Sequence, residues 1–169
     1  AKYKEHSSVA LGDYVIDLAW SPDATKLAAV TVEGDVYTID ADSNPVTFKK
    51  LGEHASGANA LSWRRDGAEF ATSGQDGMVK VWHGETGELL HSLCVGGVWA
   101  SKVVYSPKTN ELAASGGKSL KIWDESKNLS YESDDHSSSI ADLAWNPDGS
   151  GIAAAAYYGV SVHVPQKKK

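Results

Sequence analysis

Cysteine is nearly missing from this chain of 169 residues: Cys94 is its one thiol, which excludes an intramolecular disulfide and any cysteine-built zinc site. Long hydrophobic runs are missing too. The longest, Ile152 to Tyr158, has seven residues, against the ~18 that a membrane-spanning helix needs. The start Ala1-Lys2-Tyr3-Lys4-Glu5 lacks the apolar core of a secretion signal, so a cytoplasmic location is expected. Positive charge is scarce. Sixteen Lys and Arg face 22 Asp and Glu, for a net charge of −6, and the basic cluster is the tail at 166–169. Such a balance argues against duplex nucleic acid or an anionic membrane as partner.

Catalytic signatures are equally sparse. There is no Gly-x-Ser-x-Gly elbow, and no carboxylate pair stands apart from turn positions. Gly116-Gly117-Lys118-Ser119 ends like a phosphate loop. The glycine that pattern requires five residues before Gly117 is Leu112, however, and no helix follows, so a hairpin is expected there. His91 and Cys94 are three apart, which strand alternation puts on opposite faces; no metal site is expected. Asn128-Leu129-Ser130 is a glycosylation sequon, uninformative without a secretion signal. No cofactor is implied, and the chain is expected not to be an enzyme.

What the chain has in quantity is repetition. Trp20-Ser21-Pro22-Asp23, Trp63-Arg64-Arg65-Asp66-Gly67, Tyr105-Ser106-Pro107-Lys108 and Trp145-Asn146-Pro147-Asp148-Gly149 recur at spacings of 43, 42 and 40 residues. An alternating apolar stretch precedes each, as in Val15 to Trp20 and Ile140 to Trp145, the period-two signal of a half-buried strand. A run of small residues follows, such as Ala28-Ala29, Ala113-Ala114 and Ala153 to Ala156. Apolar on both faces, it suits a central strand covered on both sides. Then comes a glycine-bearing turn, of which Asp76-Gly77 is the strongest hairpin signal, and a third alternating strand. Each unit is a small antiparallel sheet that cannot bury its faces alone; stacking units around an axis solves this.

At these residues the chain resembles the WD-repeat (WD40) β-propeller family. The second unit matches best, with His54, Trp63, Asp66-Gly67, Thr72, Asp76-Gly77 and Trp82. The resemblance implies a buried structural tetrad of His54, Thr72, Asp76 and Trp82. Trp123-Asp124 is the one literal Trp-Asp; Ile39-Asp40 and His163-Val164 replace it in units one and four, and His83 replaces the Asp in unit two. His136 precedes Trp145 by the nine residues that separate His54 from Trp63, so Asp134-Asp135-His136 is expected to be a turn carrying the repeat's histidine.

The expected fold is therefore all-β: four-stranded antiparallel blades of WD40 type, four per chain over residues 1–165, with units starting near 14, 57, 98 and 138. Blades of this kind usually close in sevens or eights, so the chain is also weighed as half of an eight-bladed ring made by two copies or by a longer parent. The last unit lacks a fourth strand, and His6 to Leu11 is expected to supply it, giving sixteen strands. Deleting residues 1–11 is expected to abolish folding or assembly. Function is expected to be non-catalytic protein–protein interaction through the loop face, with an unknown protein or peptide partner. Trp99, Tyr157, Tyr158 and Tyr14 are the aromatics the repeat does not explain, and polar-tipped aromatics favour such contacts; Glu33, Asn59 and Lys118 share that face. A channel-based ligand binder or enzyme using Asp17, Asn59, Lys102 and Asp142 is the weaker alternative, since Asp17 and Asp142 hold one repeat position.

Overall fold

The computed structural model describes residues 1–96, 99–133 and 136–166. The first blade is β1 (Val15–Trp20), β2 (Lys26–Thr31), β3 (Asp35–Asp40) and β4 (Thr47–Glu53). The second is β5 (Ala58–Trp63), β6 (Glu69–Gly74), β7 (Met78–His83) and β8 (Leu89–Cys94). The third is β9 (Ala100–Tyr105), β10 (Leu112–Gly116), β11 (Ser119–Trp123) and β12 (Leu129–Ser133), and the fourth is β13 (Ile140–Trp145), β14 (Ile152–Ala156) and β15 (Gly159–His163). Every sheet is an antiparallel meander in chain order. No described helix is long and apolar enough to cross a membrane.

Register repeats with the sequence. Trp20 pairs with Leu27, Trp63 with Phe70, Tyr105 with Leu112 and Trp145 with Ile152. Each blade's first two strands also carry a bulge near the same end, between Val15 and Asp17, Ala58 and Ala60, Ser115 and Gly116, and Ile140 and Asp142, which deepens the local twist. Burial falls from the middle outward. All of β6 and β10 is buried, as their small residues require, whereas β4, β8 and β12 are largely exposed. Gly116 to Ser119 forms the β10–β11 hairpin turn.

The core lies between blades. Ala28, Val30 and Val36 of blade 1 share a cluster with Leu61, Phe70 and Trp82 of blade 2. Ala71, Val79 and Val81 of blade 2 join Val103, Tyr105, Leu112 and Trp123 of blade 3. Ala113, Leu120 and Ile122 of blade 3 join Ile140, Leu143 and Ile152 of blade 4. At each junction the trailing face is mostly small and β-branched, and the leading face carries most of the large side chains. Fully burying one Val, Leu, Ile or Phe is worth about 1.5–3 kcal/mol, so these junctions carry most of the stability.

One expectation is corrected. His6 to Leu11 forms no strand, and among the described residues the fourth sheet has three strands, not four. The inner strands contact in series, β1 with β5, β5 with β9, β9 with β13, and the first and last blades each keep an apolar face in solvent. With blades 1 and 4 at opposite ends of an arc, the segment before β1 has no neighbouring edge of β15 to pair with.

Candidate functional site

Antiparallel pairing decides which loops come together. The start of β1 lies against the end of β2 (Val15 with Thr31), as Ala58 does against Gly74, Ala100 against Gly116 and Ile140 against Ala156. Entries to the inner strands and turns between second and third strands therefore collect on one rim. Tyr14 and Glu33 stand exposed there on blade 1, Trp99 and Lys118 on blade 3, and Tyr157 and Tyr158 on blade 4. They share a rim across the arc rather than a pocket.

The blade 4 tip is the most constructed part of this rim. Ser138 Oγ accepts the Tyr157 N–H at 2.7 Å, and the Ser137 hydroxyl donates to the Tyr157 carbonyl at 3.0 Å. Tyr158, 91% exposed, sits at φ +73°, in the left-handed region that disfavours a bulky side chain by roughly 1–2 kcal/mol. The two tyrosine rings lie 3.9 Å apart. Trp99 is 59% exposed, whereas the repeat tryptophans Trp82 and Trp123 are buried.

Polar residues of the inner strands are engaged in joining blades. Asp17 accepts the Leu61 N–H at 2.9 Å, and the Asn59 side chain donates to the Ala100 carbonyl of the neighbouring blade at 2.9 Å. Lys102 pairs with Asp142 at 3.5 Å. The indoles of Trp63 and Trp145 donate to the Ala19 and Val104 carbonyls at 3.1 and 3.2 Å, one hydrogen bond repeated at two junctions.

His54, Thr72, Asp76 and Trp82 are brought together in blade 2. The Trp82 indole N–H donates to Thr72 Oγ1 at 2.9 Å, leaving the hydroxyl proton to serve His54 Nε2 at 2.8 Å. His54 Nδ1–H then faces the Asp76 carboxylate at 3.0 Å. An indole only donates and a carboxylate only accepts, and a neutral imidazole protonated at Nδ1 satisfies every group between them. Burial pushes the His54 imidazole below its usual range against the pull of Asp76. Gly74 is required beside it, because a Cβ there would overlap the His54 ring. In blade 4 the corresponding residues are His136, Ala154 and His163. With no hydroxyl on Ala154, His136 Nε2 meets Ser161 Oγ at 3.0 Å and His163 Nε2 at 3.3 Å, while Tyr131 bonds His163 Nδ1 at 2.9 Å. A cavity of about 320 Å³ opens beside this group. Asp134 and Asp135, expected in the adjoining turn, and Lys167 to Lys169 of the basic tail lie outside the described residues.

One group has no counterpart in the sequence motifs. Lys127, its side chain almost fully buried, donates to Glu69, which also accepts the Tyr105 hydroxyl at 2.8 Å. Arg64 reaches the same carboxylate at 3.4 Å. Burial, with the Glu69 charge adding, holds the Tyr105 hydroxyl far above its ordinary range. The available sequence signal was Tyr105 itself, a hydroxyl where three units place an indole.

Two segments, 45–83 and 127–159, match the family model described as WD domain, G-beta repeat. The chain is 23% identical to the intraflagellar transport protein 80 homolog of Rattus norvegicus, over 86% of this chain and 25% of that protein. It is 30% identical to cell division cycle 20.5, cofactor of APC complex, of Arabidopsis thaliana, over 84% and 34%. A solved structure of the RRP9 WD40 repeats superposes with a TM-score of 0.76 at 13% identity, covering 87% of this chain and 46% of that one. The chain thus spans about a third or less of these curated relatives and under half of the solved propeller chain.

Proposed function

We propose that this chain, which belongs to the WD40 repeat family, is a non-catalytic scaffold that binds another protein through the loop rim of its blades. Members of the family generally serve as protein-interaction scaffolds, and one relative is named as a cofactor of a complex. The observation that carries the proposal is the rim tip at Tyr157-Tyr158, two exposed aromatics in a turn whose Tyr157 backbone is held by two serines and whose Tyr158 sits at positive φ. Gly, Asn or a small residue is the less costly choice at such a position, and Tyr158 is the one aromatic among the positive-φ described residues. Trp99 extends the same rim on blade 3. Against the enzyme alternative, Asp17 and Asn59 each bond to an adjoining blade and Lys102 pairs with Asp142 across a junction, which favours a structural use of these residues.

The test is capture of partners by the purified chain, compared with Trp99→Ala and the double variant Tyr157→Ala/Tyr158→Ala. Loss of capture with an unchanged melting profile supports the rim; unchanged capture by the folded variants overturns it. A second reading, favoured by the exposed apolar faces of blades 1 and 4, is that the arc is one half of a ring completed at both ends.

A further inference from the structure

Blade 4 departs from the other blades at two positions of its third strand, and both departures point to one place. Where blades 1, 2 and 3 have Tyr37, Lys80 and Lys121, it has Ser161; where they have Ile39, Trp82 and Trp123, it has His163. Both side chains meet His136, which enters from the connection before β13. Ser161 Oγ lies 3.0 Å from His136 Nε2 and 2.9 Å from His163 Nε2, and the two nitrogens lie 3.3 Å apart. Two imidazole nitrogens and a hydroxyl oxygen thus form a small triangle. Sequence spacing hides it, because the two histidines are 27 residues apart on separate elements.

We propose that this triangle binds one divalent transition-metal ion of the zinc type, held by His136 Nε2 and His163 Nε2, with Ser161 Oγ and water completing the set. The placing of the rings carries the proposal. Two imidazoles on a tetrahedral Zn²⁺, at about 2.0–2.1 Å per bond, hold their nitrogens about 3.3 Å apart and their ring centres about 5.2 Å apart. The observed separations are 3.3 and 5.3 Å. The far side of each ring is also tied to an oxygen, as it generally is in metal-binding histidines. His136 Nδ1 donates to the Lys118 carbonyl at 2.9 Å. A carbonyl only accepts, so the Nε2 of the neutral ring turns its lone pair to the triangle. His163 Nδ1 meets the Tyr131 hydroxyl at 2.9 Å, which accepts from Nδ1–H when Nε2 gives its lone pair to the ion.

Both outer partners belong to blade 3, Tyr131 on β12 and Lys118 in the β10–β11 turn. The site is therefore made inside the junction of blades 3 and 4, which this chain holds whole. Imidazole ligands suit Zn²⁺ or Cu²⁺ and not Mg²⁺ or Ca²⁺, which take oxygen. Among the described residues no third His, Cys, Asp or Glu joins the pair, so the ion keeps positions for water and is held less tightly than in a closed four-ligand site. In blade 2 the third strand reaches its histidine through Trp82 and Thr72. In blade 4, with Ala154 in place of that threonine, the ion makes the same link.

The experiment is equilibrium dialysis of the full chain, stripped of metal by a chelator, against zinc chloride, with the same run on four variants whose folds are checked by circular dichroism. His163→Trp removes one ligand and restores the residue that blades 2 and 3 use. Ser161→Ala removes the hydroxyl, Tyr131→Phe removes the bond to Nδ1 alone, and His91→Gln, at an exposed histidine of β8, controls for surface binding. The natural sequence should take up one Zn²⁺ per chain and melt at a higher temperature with it. Affinity should fall at least about a hundredfold in His163→Trp and about tenfold in Tyr131→Phe, and stay unchanged in His91→Gln. Uptake that is absent at the highest zinc concentration the chain tolerates, that persists in folded His163→Trp, or that disappears in His91→Gln overturns the site. Where His163→Trp does not fold, unchanged affinity in both Ser161→Ala and Tyr131→Phe overturns it, and a loss in either supports it.

Discussion

In blade 2, Phe70 and Trp82 share a core with Val30 and Val36 of the blade before, and Val79 and Val81 with Val103 and Leu112 of the blade after. Blade 4 has that cover on one side. Ile152 and Leu143 meet Leu120 and Ile122, while Val160 and Val162 stand in water. The polar interiors differ in parallel. Blade 2 holds a one-directional chain from Trp82 through Thr72 and His54 to Asp76; blade 4 has two imidazoles and a serine around a cavity. A repeat supplies the strands, then, but burial of a blade's two faces comes from having a neighbour on each. This is the nearest-neighbour physics of stacked repeats.

Substitutions can push the two blades further apart or bring them together. The largest contrast is expected from truncating the same kind of apolar contact in each. Phe70→Ala should cost about 3–5 kcal/mol in urea unfolding, whereas Val160→Ala in the monomer should stay within about 0.5 kcal/mol. Equal losses would mean that blade 4 is covered after all. Next is the buried pair at the junction of blades 2 and 3. Lys127→Met leaves Glu69 with Arg64 as its remaining cation and should cost about 3 kcal/mol, near the low end for a broken buried pair. Adding Glu69→Gln to it should recover part of that loss in the same melts.

A smaller effect is expected from Thr72→Val, which removes the acceptor of Trp82 and the donor of His54. A loss of roughly 1–3 kcal/mol is predicted for the unsatisfied groups, against under about 1 kcal/mol for Ser161→Ala in blade 4. The pH dependence has a defined sign. Burial lowers the His54 value in the folded chain, so the unfolded chain takes up this proton first. The contribution is complete above an unfolded value of about 6.5 and is lost as pH falls from there through the lower folded value. His54→Gln should flatten that acid-side slope, read from melting points across the range. The smallest change is at the rim. Tyr158→Gly releases the left-handed strain and should raise stability by up to about 1 kcal/mol while weakening partner capture.

The period of the sequence made the blades legible, together with the positions of Trp63, Trp82 and His54, because those residues answer to a constraint repeated in every unit. Glu69 and Lys127 were not legible, since they are 58 residues apart and no other unit repeats the pairing. The bond from Asn59 to the Ala100 carbonyl was not legible for a related reason: alternation gives the face of a strand but does not show that a neighbouring carbonyl lies within reach. The segment His6 to Leu11 carries a strand's spacing, yet pairing depends on which edge is near, and that is decided by closure of the whole assembly.

Because each core cluster draws some of its side chains from one blade and the rest from the next, the unit of inheritance and the unit of cohesion are out of phase. A duplicated stretch of about forty residues carries one half of two different joints, never a whole one. Copied in any phase, it therefore arrives able to mate with its own parent at both ends, so an arc of this kind can lengthen or shorten by whole blades without inventing a new contact.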